Sequence, residues 1–277
     1  MKKRDIRIAI LKTVILTLLA LLFVSPLLWM VSSSLKPASE VFATPFHLIP
    51  ETVKWSNYVT VWTDDTVSMI QAYFNTFKIV IIATFGQIVI ASMAAYAFAK
   101  VDFRGKNIIF LLFLSSMMIP TQVTIIPRFM LFKTMNLYNT HWSIILPTLF
   151  GATSIFMLRQ FYMGLPNDLM EAAKIDGAGH FRIFLQIMMP LTKSAMITLV
   201  VLAFIASWNE YLSPLIFLTK EKLFTVSQAI RWYLQDDLKR YELVMAASTS
   251  AILPVVILFI TCQKYFVEGI ATSGVKG

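Results

Sequence analysis

The sequence predicts an all-α integral membrane protein with six transmembrane helices and with both termini in the cytoplasm. Three observations support this fold class: the composition, the number of long apolar runs, and the distribution of basic residues between loops. Only 14% of the 277 residues are charged, 57% are hydrophobic, and the mean hydropathy is +0.71. A soluble domain has about 25% charged residues. Most of the surface is therefore expected to contact lipid.

Six apolar runs are long enough to span a bilayer, because a helix needs about 20 residues to cross the hydrocarbon core. They cover residues 8–31, 79–99, 108–132, 142–162, 191–218 and 243–262. The third run contains Pro120 and Pro127. The first run follows basic residues, as a signal peptide would, but it is too long and Ser25 and Pro26 make a poor cleavage site. A retained anchor is therefore predicted.

The orientation follows from the charges of the loops. With the N-terminus inside, the inner side holds 14 of the 24 basic and 6 of the 15 acidic residues, so the inner net charge is +8 and the outer is +1. Basic residues accumulate in cytoplasmic loops, and the short loop 100–106 carries three of them. The same rule explains the overall charge of +9 and makes nucleic-acid binding a poor hypothesis. The single cysteine, Cys262, excludes an intrachain disulfide.

Two longer segments, 33–77 and 219–242, are predicted to lie outside the membrane. Five of their aromatic residues are expected to form an interfacial belt. Contact with an extracytoplasmic partner or a sugar is the alternative for these residues, which are Trp55, Tyr58, Trp62, Trp232 and Tyr233.

The polar stretch before the fifth run predicts two short helices joined by a glycine turn. Asp168, followed three residues later by Glu171, is typical of a capping box. Gly177 is expected to end this helix in the left-handed conformation. The second helix should begin near Phe181 and be bent or ended by Pro190.

The spacing of the second helix predicts one apolar face, formed by Phe181, Phe184, Leu185 and Met188. In the first helix, Ala172 and Ala173 have little bulk, so another surface could approach closely there. An ordinary amphipathic linker fits these residues equally well.

The order of residues in this stretch resembles the signature of permease subunits of bacterial ABC importers. It comprises Glu171-Ala172-Ala173, Gly177, Ile187 and Met189-Pro190, with Met189 where the family usually has Leu, an apolar exchange of little consequence. Similarity extends over about 70–277 and is greatest to the second permease subunit of maltose- and multiple-sugar-type (carbohydrate uptake) systems. The other matching stretches are 75–76, 94–99, 104–106, 119–120, 207–211 and 263–269.

The resemblance implies a type I ABC importer permease fold. It divides the chain into an N-terminal helix and extracytoplasmic loop (1–69), a transmembrane domain (70–265) and a cytoplasmic tail (266–277). The stretch 168–190, named the EAA segment below, would contain the coupling helix. The implied ATPase-coupling residues are Glu171, Ala172, Ala173, Asp176 and Gly177.

The implied partners are a second homologous permease, two ATPase subunits and an extracytoplasmic sugar-binding protein, all at the bacterial cytoplasmic membrane. ATP and Mg would be bound by the ATPase subunits, since this chain has no phosphate loop of the G-x-x-x-x-G-K-[ST] type. The expected substrate is an oligosaccharide of the raffinose or multiple-sugar type.

No catalytic, cofactor or metal site is predicted in this chain, because it has no nucleophile motif and its histidines are scattered. Asn209 and Glu210 are polar residues inside the fifth run, where ionisable groups indicate function. A structural or gating role in the translocation pathway is favoured over direct sugar contact. A self-contained secondary transporter is the alternative function, but it requires more intramembrane carboxylates or repeated halves.

Overall fold

The computed structural model describes residues 3–235 and 239–274, with side chains for 7–235 and 239–264. These residues form helices, turns and loops, without a β-strand. The α-helices are, in chain order, α1 (Lys3–Ser34), α2 (Ser56–Thr63), α3 (Met69–Lys100), α4 (Lys106–Ser115), α5 (Thr121–Thr134), α6 (Trp142–Thr148), α7 (Ala152–Met163), α8 (Asp168–Ile175), α9 (His180–Ile183), α10 (Met189–Leu191), α11 (Lys193–Trp208), α12 (Leu212–Phe217), α13 (Val226–Trp232) and α14 (Tyr241–Gly274). The predicted tail thus continues α14 as far as Gly274, and residues 275–277 lie outside the described part.

Four of the described helical segments are long and apolar enough to cross a membrane. They correspond to the first, second, fourth and sixth predicted runs: Arg7–Ser34, Met69–Lys100, Trp142–Met163 and Tyr241–Lys264. Hydroxyl side chains inside them donate to carbonyls one turn earlier, as Ser92 does to Val89 (3.0 Å) and Thr261 to Ile257 (3.0 Å). These bonds satisfy polar groups that lipid could not.

The third and fifth predicted runs are bent pairs of helices, the third at a proline and the fifth two residues after one. Lys106–Met118 and Thr121–Thr134 meet at 100°, on either side of Pro120. His180–Leu191 and Lys193–Trp208 meet at 79°, two residues after Pro190. Proline lacks an N–H and disfavours a helical residue before it, which explains the break at Ile119, an extended residue before Pro120. At the second bend Pro190 and the residue before it are helical, and Thr192 (φ −101°, ψ 15°) is the residue that leaves the helical conformation. Counting each pair as one span gives up to six spans.

The long helix of the fifth predicted run, α11, is also shorter than predicted. α11 ends at Trp208, and Asn209 to Tyr211 separate it from α12. The predicted continuous run 191–218 is therefore wrong in its bounds. A mostly apolar composition shows where a span can lie but not where its backbone breaks.

The described residues divide into two compact units, one within 1–70 and 228–253 and the other within 71–227 and 254–277. In the first unit, the amide of Asn57 joins the end of α1 to α2. It donates to the carbonyls of Ser34 (2.9 Å) and Lys36 (2.8 Å). The side chain of Lys36 is only 1% exposed, and its ammonium donates to the carbonyl of His47. These bonds hold the loop after α1 against its own unit.

Of the five residues of the predicted aromatic belt, Tyr233 does not fit it, and for the other four the belt stays a prediction. Tyr233 is 1% exposed, and its burial, with the nearby Asp64 carboxylate, raises the pKa of its phenol. The indole of Trp62 donates to the Ser250 hydroxyl (3.3 Å), and the Tyr58 hydroxyl pairs with that of Ser34. Of the five aromatic residues, Trp55 is the one with a largely exposed side chain. The polar ends of Tyr58 and Trp62 therefore find partners within the chain, and Tyr233 is buried away from any surrounding lipid.

The second unit contains the largest hydrophobic cluster, and this cluster surrounds the EAA segment. Residues from α3, α4, α7, α8, α9 and α11 meet in it, including Ala95, Leu158, Met170, Ile183 and Leu199. The guanidinium of Arg159 lies 4.1 Å from the ring centroid of Phe110 and donates to the Phe98 carbonyl (3.2 Å). The core therefore lies where the EAA segment joins the long helices.

The topology can be tested with reporter fusions. A reporter placed after Lys106 should be cytoplasmic and one placed within 45–65 should be external, because the loop 100–106 has the strongest basic bias. Alkaline phosphatase and fluorescent-protein activities would measure the two locations. The reversed pattern would contradict the orientation.

Candidate functional site

Helix α8 begins the EAA segment, but it lacks the predicted capping box. Its N-cap is Asn167, in a helical conformation (φ −73°, ψ −25°) and without a side-chain cap bond. The ammonium of Lys100 instead binds the Asn167 side-chain oxygen (2.6 Å) and the Leu165 carbonyl (2.7 Å). The carboxylates of Asp168 and Glu171 are left exposed in the first turn, where the helix dipole favours negative charge.

The glycine turn after α8 is confirmed. Gly177 has φ +78°, and its N–H donates to the Lys174 carbonyl (3.0 Å) while that of Ala178 donates to the Ala173 carbonyl (2.9 Å). This bond pair is the Schellman motif, which satisfies helix-terminal carbonyls. A β-carbon at Gly177 would meet no atom within 4 Å. The requirement for glycine is therefore one of backbone conformation and not of space.

The second helix of the segment differs from the prediction in its apolar face. α9 is followed by a π-helical turn, Phe184–Met188, before α10. Phe184 and Met188 are buried as predicted, but Phe181 and Leu185 are exposed. Ile183, fully buried, takes a core position instead. A π turn holds more residues than an α turn, so the spacing of an ordinary helix places side chains wrongly here.

A second contact joins the start of α9 to α3. The hydroxyl of Tyr96 lies 3.0 Å from Nδ1 of His180, and the Tyr96 ring packs against the rings of Tyr162 and Phe184. Lys100, one helical turn further along α3, holds the residues before α8. The C-terminal end of α3 therefore anchors the EAA segment at both of its short helices.

The outer face of the segment combines apolar and charged side chains. Ile175 is 87% exposed and Phe181 is 65% exposed. Glu171, Ala172, Lys174 and Asp176 are exposed beside them. Ala173 is instead 9% exposed and packs in the core cluster, so its methyl group is not available to another surface, contrary to the expectation for the Ala172–Ala173 pair.

Glu210 lies at the break between α11 and α12. Its carboxylate accepts a hydrogen bond from the N–H of Ser213 (2.7 Å), in the first turn of α12. Its carbonyl accepts from the Ser227 hydroxyl (3.0 Å). Asn209 is exposed, and its N–H donates to the carbonyls of Ile205 and Ser207. Within the described part of the chain, Glu210 therefore has a definite structural contact, and the side chain of Asn209 has no hydrogen bond.

Two cavities border Glu210. One, of about 250 Å³, also has polar lining from Gln87, Thr148 and Ser207. The other, of about 260 Å³, is lined on its far side by Gln122 and Arg128 of α5, among others. Both cavities share Thr148 and Glu210. Polar side chains thus line two neighbouring cavities, which border α3, α5, α6 and the end of α11.

Arg128 was not selected from the sequence. Its guanidinium donates to the Ser213 hydroxyl (3.3 Å), lies 5.1 Å from the Phe217 ring centroid and is attracted by the Glu210 charge. A cation inside the apolar run 108–132 was the signal that could have identified it. Lys100 and Tyr96 had no such signal, because their partners are distant in sequence. Across the described residues, no three His, Cys, Asp or Glu side chains gather to hold a metal ion.

The bent apolar spans, the anchored EAA segment and the polar cavities are those of an all-helical membrane protein. Residues 87–272 match the family model described as "Binding-protein-dependent transport system inner membrane component". The chain belongs to this family, which confirms the resemblance found in the sequence.

Relatives of known name cover nearly the whole chain. The arabinooligosaccharides transport system permease protein AraQ of Bacillus subtilis (strain 168) is 35% identical over 96% of this chain and 95% of its own. The sn-glycerol-3-phosphate transport system permease protein UgpE of Yersinia enterocolitica is 32% identical, over 85% and 86%. A chain in the crystal structure of a bacterial ABC transporter that imports the acidic polysaccharide alginate superposes with a TM-score of 0.82, at 23% identity, over 96% and 99%. This superposition shows that the type I importer permease fold is shared.

The conformation of Gly177 can be tested against a matched glycine. We expect Gly177→Ala to destabilise the end of α8 by about 1–2 kcal/mol, because an L residue is strained at positive φ. Gly179 has φ −73° and equally open space, so Gly179→Ala should cost little or stabilise slightly. Amide hydrogen exchange across residues 168–178 would measure the difference. Equal exchange in the two variants would contradict the strain argument.

The contact of Glu210 with Ser213 predicts different effects for two substitutions. Glu210→Gln keeps an oxygen that can accept the Ser213 N–H, whereas Glu210→Ala leaves that N–H without its partner. We expect the Ala variant to be less stable than the Gln variant by about 1–3 kcal/mol. Thermal unfolding of the purified variants would show this order. Equal losses of stability in the two variants would show that the hydrogen bond from the Ser213 N–H does not explain the contribution of Glu210.

Proposed function

We propose that this chain is a permease subunit of an ATP-driven importer in the bacterial cytoplasmic membrane. It forms half of the translocation pathway for a carbohydrate and couples to ATPase subunits through the EAA segment. The chain itself does not hydrolyse ATP; ATP and Mg are bound by the ATPase subunits. A second homologous permease completes the pathway, and an extracytoplasmic binding protein delivers the sugar.

The observation that best supports coupling is the exposed face of an otherwise well-anchored segment. Ile175 exposes its apolar side chain between the charged residues Lys174 and Asp176, and Phe181 exposes a second apolar side chain at the start of α9. Such a mixture suits the surface of a soluble protein better than acyl chains, which would leave the charges without partners. A docked ATPase subunit is the partner that satisfies both kinds of side chain.

The anchoring contacts support transmission of force from this face into the membrane. Lys100 binds the residues before α8, and Tyr96 binds His180 at the start of α9. Packed cores move as rigid bodies and do not deform continuously. A displacement of α8 by the ATPase is therefore expected to move α3, which borders one of the cavities next to Glu210.

The substrate class rests on the relatives. The most similar of those described transport arabinooligosaccharides, so we propose an oligosaccharide as the cargo. The cavities at Glu210 have hydroxyl, amide and charged groups that can bind sugar hydroxyls, and Glu210 with Arg128 is the pair proposed to line or gate the pathway. Family membership argues against a self-contained secondary transporter, because the family consists of components of binding-protein-dependent systems.

Glu171 provides the sharpest test of coupling. Glu171→Gln should reduce ATPase co-purification and sugar uptake modestly. Glu171→Lys should reduce both severely, since it also places a cation at a positive helix end, a cost of about 0.3–1 kcal/mol. Binding of the sugar-loaded binding protein should be unchanged in both variants.

Asp102→Lys is the matched control for this experiment. Asp102 is an exposed carboxylate on the loop after α3, paired with Lys106 at 3.5 Å and outside the EAA segment. Its substitution should leave ATPase association intact. If Glu171→Lys retains its ATPase subunits and transports normally, the EAA segment is not the coupling site.

A further inference from the structure

A third cavity in the second unit is separate from Glu210 and has a different chemistry. Its volume is about 610 Å³, and it lies between the first half of α3, the start of α6 and the loop before α13. Two lysines line it, Lys78 of α3 and Lys222 of the loop. The described residues that line it include no aspartate or glutamate. The cavity is therefore positively charged.

Neither ammonium group has a partner within the described residues. The two ion pairs found there join His47 to Glu51 and Lys106 to Asp102. Lys78 and Lys222 are both exposed, and the Lys222 contact in the cavity wall is made by its backbone carbonyl, which accepts from Asn75 (2.9 Å). The cavity can therefore offer two free cations to a ligand.

Lys78 also lies within an apolar face of α3. Phe74, Ile81 and Phe85 are spaced as neighbours of Lys78 on one side of a helix, and all three are largely exposed. The predicted apolar run 79–99 begins immediately after Lys78, at Ile79. A lysine at this boundary is at the depth of lipid headgroups, and the apolar face beyond it is at the depth of acyl chains.

The opposite wall of the cavity has the composition of a membrane interface. Trp142 is half exposed and begins the apolar span Trp142–Met163. Tryptophan is enriched at the headgroup level of membranes. Beside it, His141 is buried and lies near the Lys78 charge. Burial lowers the pKa of His141, Lys78 lowers it further, and its bond to the Leu223 carbonyl (3.1 Å) opposes both effects. The neutral ring can donate to that carbonyl and fixes the loop that carries Lys222.

We propose that this cavity binds the headgroup of an anionic phospholipid, with its acyl chains along Ile81 and Phe85. The phosphate lies between the ammonium groups of Lys78 and Lys222. A neutral sugar would leave both cations without a counter-charge, and a soluble anion would leave the apolar face without a ligand. This site is independent of the coupling and transport functions proposed above, since it requires only a membrane.

The test uses the purified transporter in phosphatidylcholine nanodiscs that contain phosphatidylglycerol. Spin-labelled phosphatidylglycerol and spin-labelled phosphatidylcholine report how strongly each lipid associates with the protein. We expect the wild type to prefer phosphatidylglycerol, and Lys78→Gln and Lys222→Gln each to reduce that preference about five-fold, the contribution of one lysine near an anionic headgroup. Lys78→Arg should retain it, because the charge is kept.

Lys220→Gln is the matched control, since Lys220 is exposed on the same loop but does not line the cavity. It should leave the lipid preference unchanged, and all variants should elute as the wild type does in size-exclusion chromatography. Absence of a wild-type preference, or an equal loss in Lys220→Gln, would overturn the proposal. Displacement of the labelled lipid by millimolar inorganic phosphate, or by a neutral trisaccharide, would assign the cavity to a soluble ligand instead.

Discussion

The attachment of the EAA segment to the end of α3 is the interaction on which the rest of this structure depends. Lys100 holds the residues before α8, and Tyr96 holds His180 at the start of α9. Between these two contacts, Met170, Ile183 and other side chains fill the main core of the second unit. A segment outside the long helices is thus as firmly packed as the helices themselves, which a surface loop alone would not be.

This attachment explains how the segment can be both rigid and exposed. The inward residues of α8, such as Ala173, pack in the core, and the outward residues do not contribute to that packing. Ile175 therefore exposes apolar surface to water without stabilising the fold. This exposure is unfavourable unless another protein surface covers the side chain. The Schellman turn at Gly177 allows the direction change that separates the two short helices without unsatisfied carbonyls.

A second constraint is the placement of the few charged side chains and of their counter-charges. Within the second unit, Arg128 and Glu210 are near one another at a helix break, and Ser213 contacts both. Lys78 and Lys222, in contrast, have no acidic neighbour in their cavity. Isolated charges near lipid are costly and indicate function. The two arrangements therefore suggest different ligands, a polar cargo at Glu210 and an anionic lipid at Lys78.

The sequence by itself determined the helical membrane class, the positions of the apolar runs and the glycine turn, since these depend on composition and on the φ angle of one residue. The tertiary structure decided the rest. The predicted capping box of Asp168 and Glu171 did not form, since Asn167 is the N-cap and its side chain binds Lys100, 67 residues earlier. His180 gained a partner 84 residues away. The apolar face that begins in α9 differs from the predicted one because a π turn, Phe184–Met188, follows α9. Tyr233 is buried by residues of the first unit and not exposed at a surface. Such contacts join residues far apart in the chain, so no local pattern of spacing or propensity could specify them.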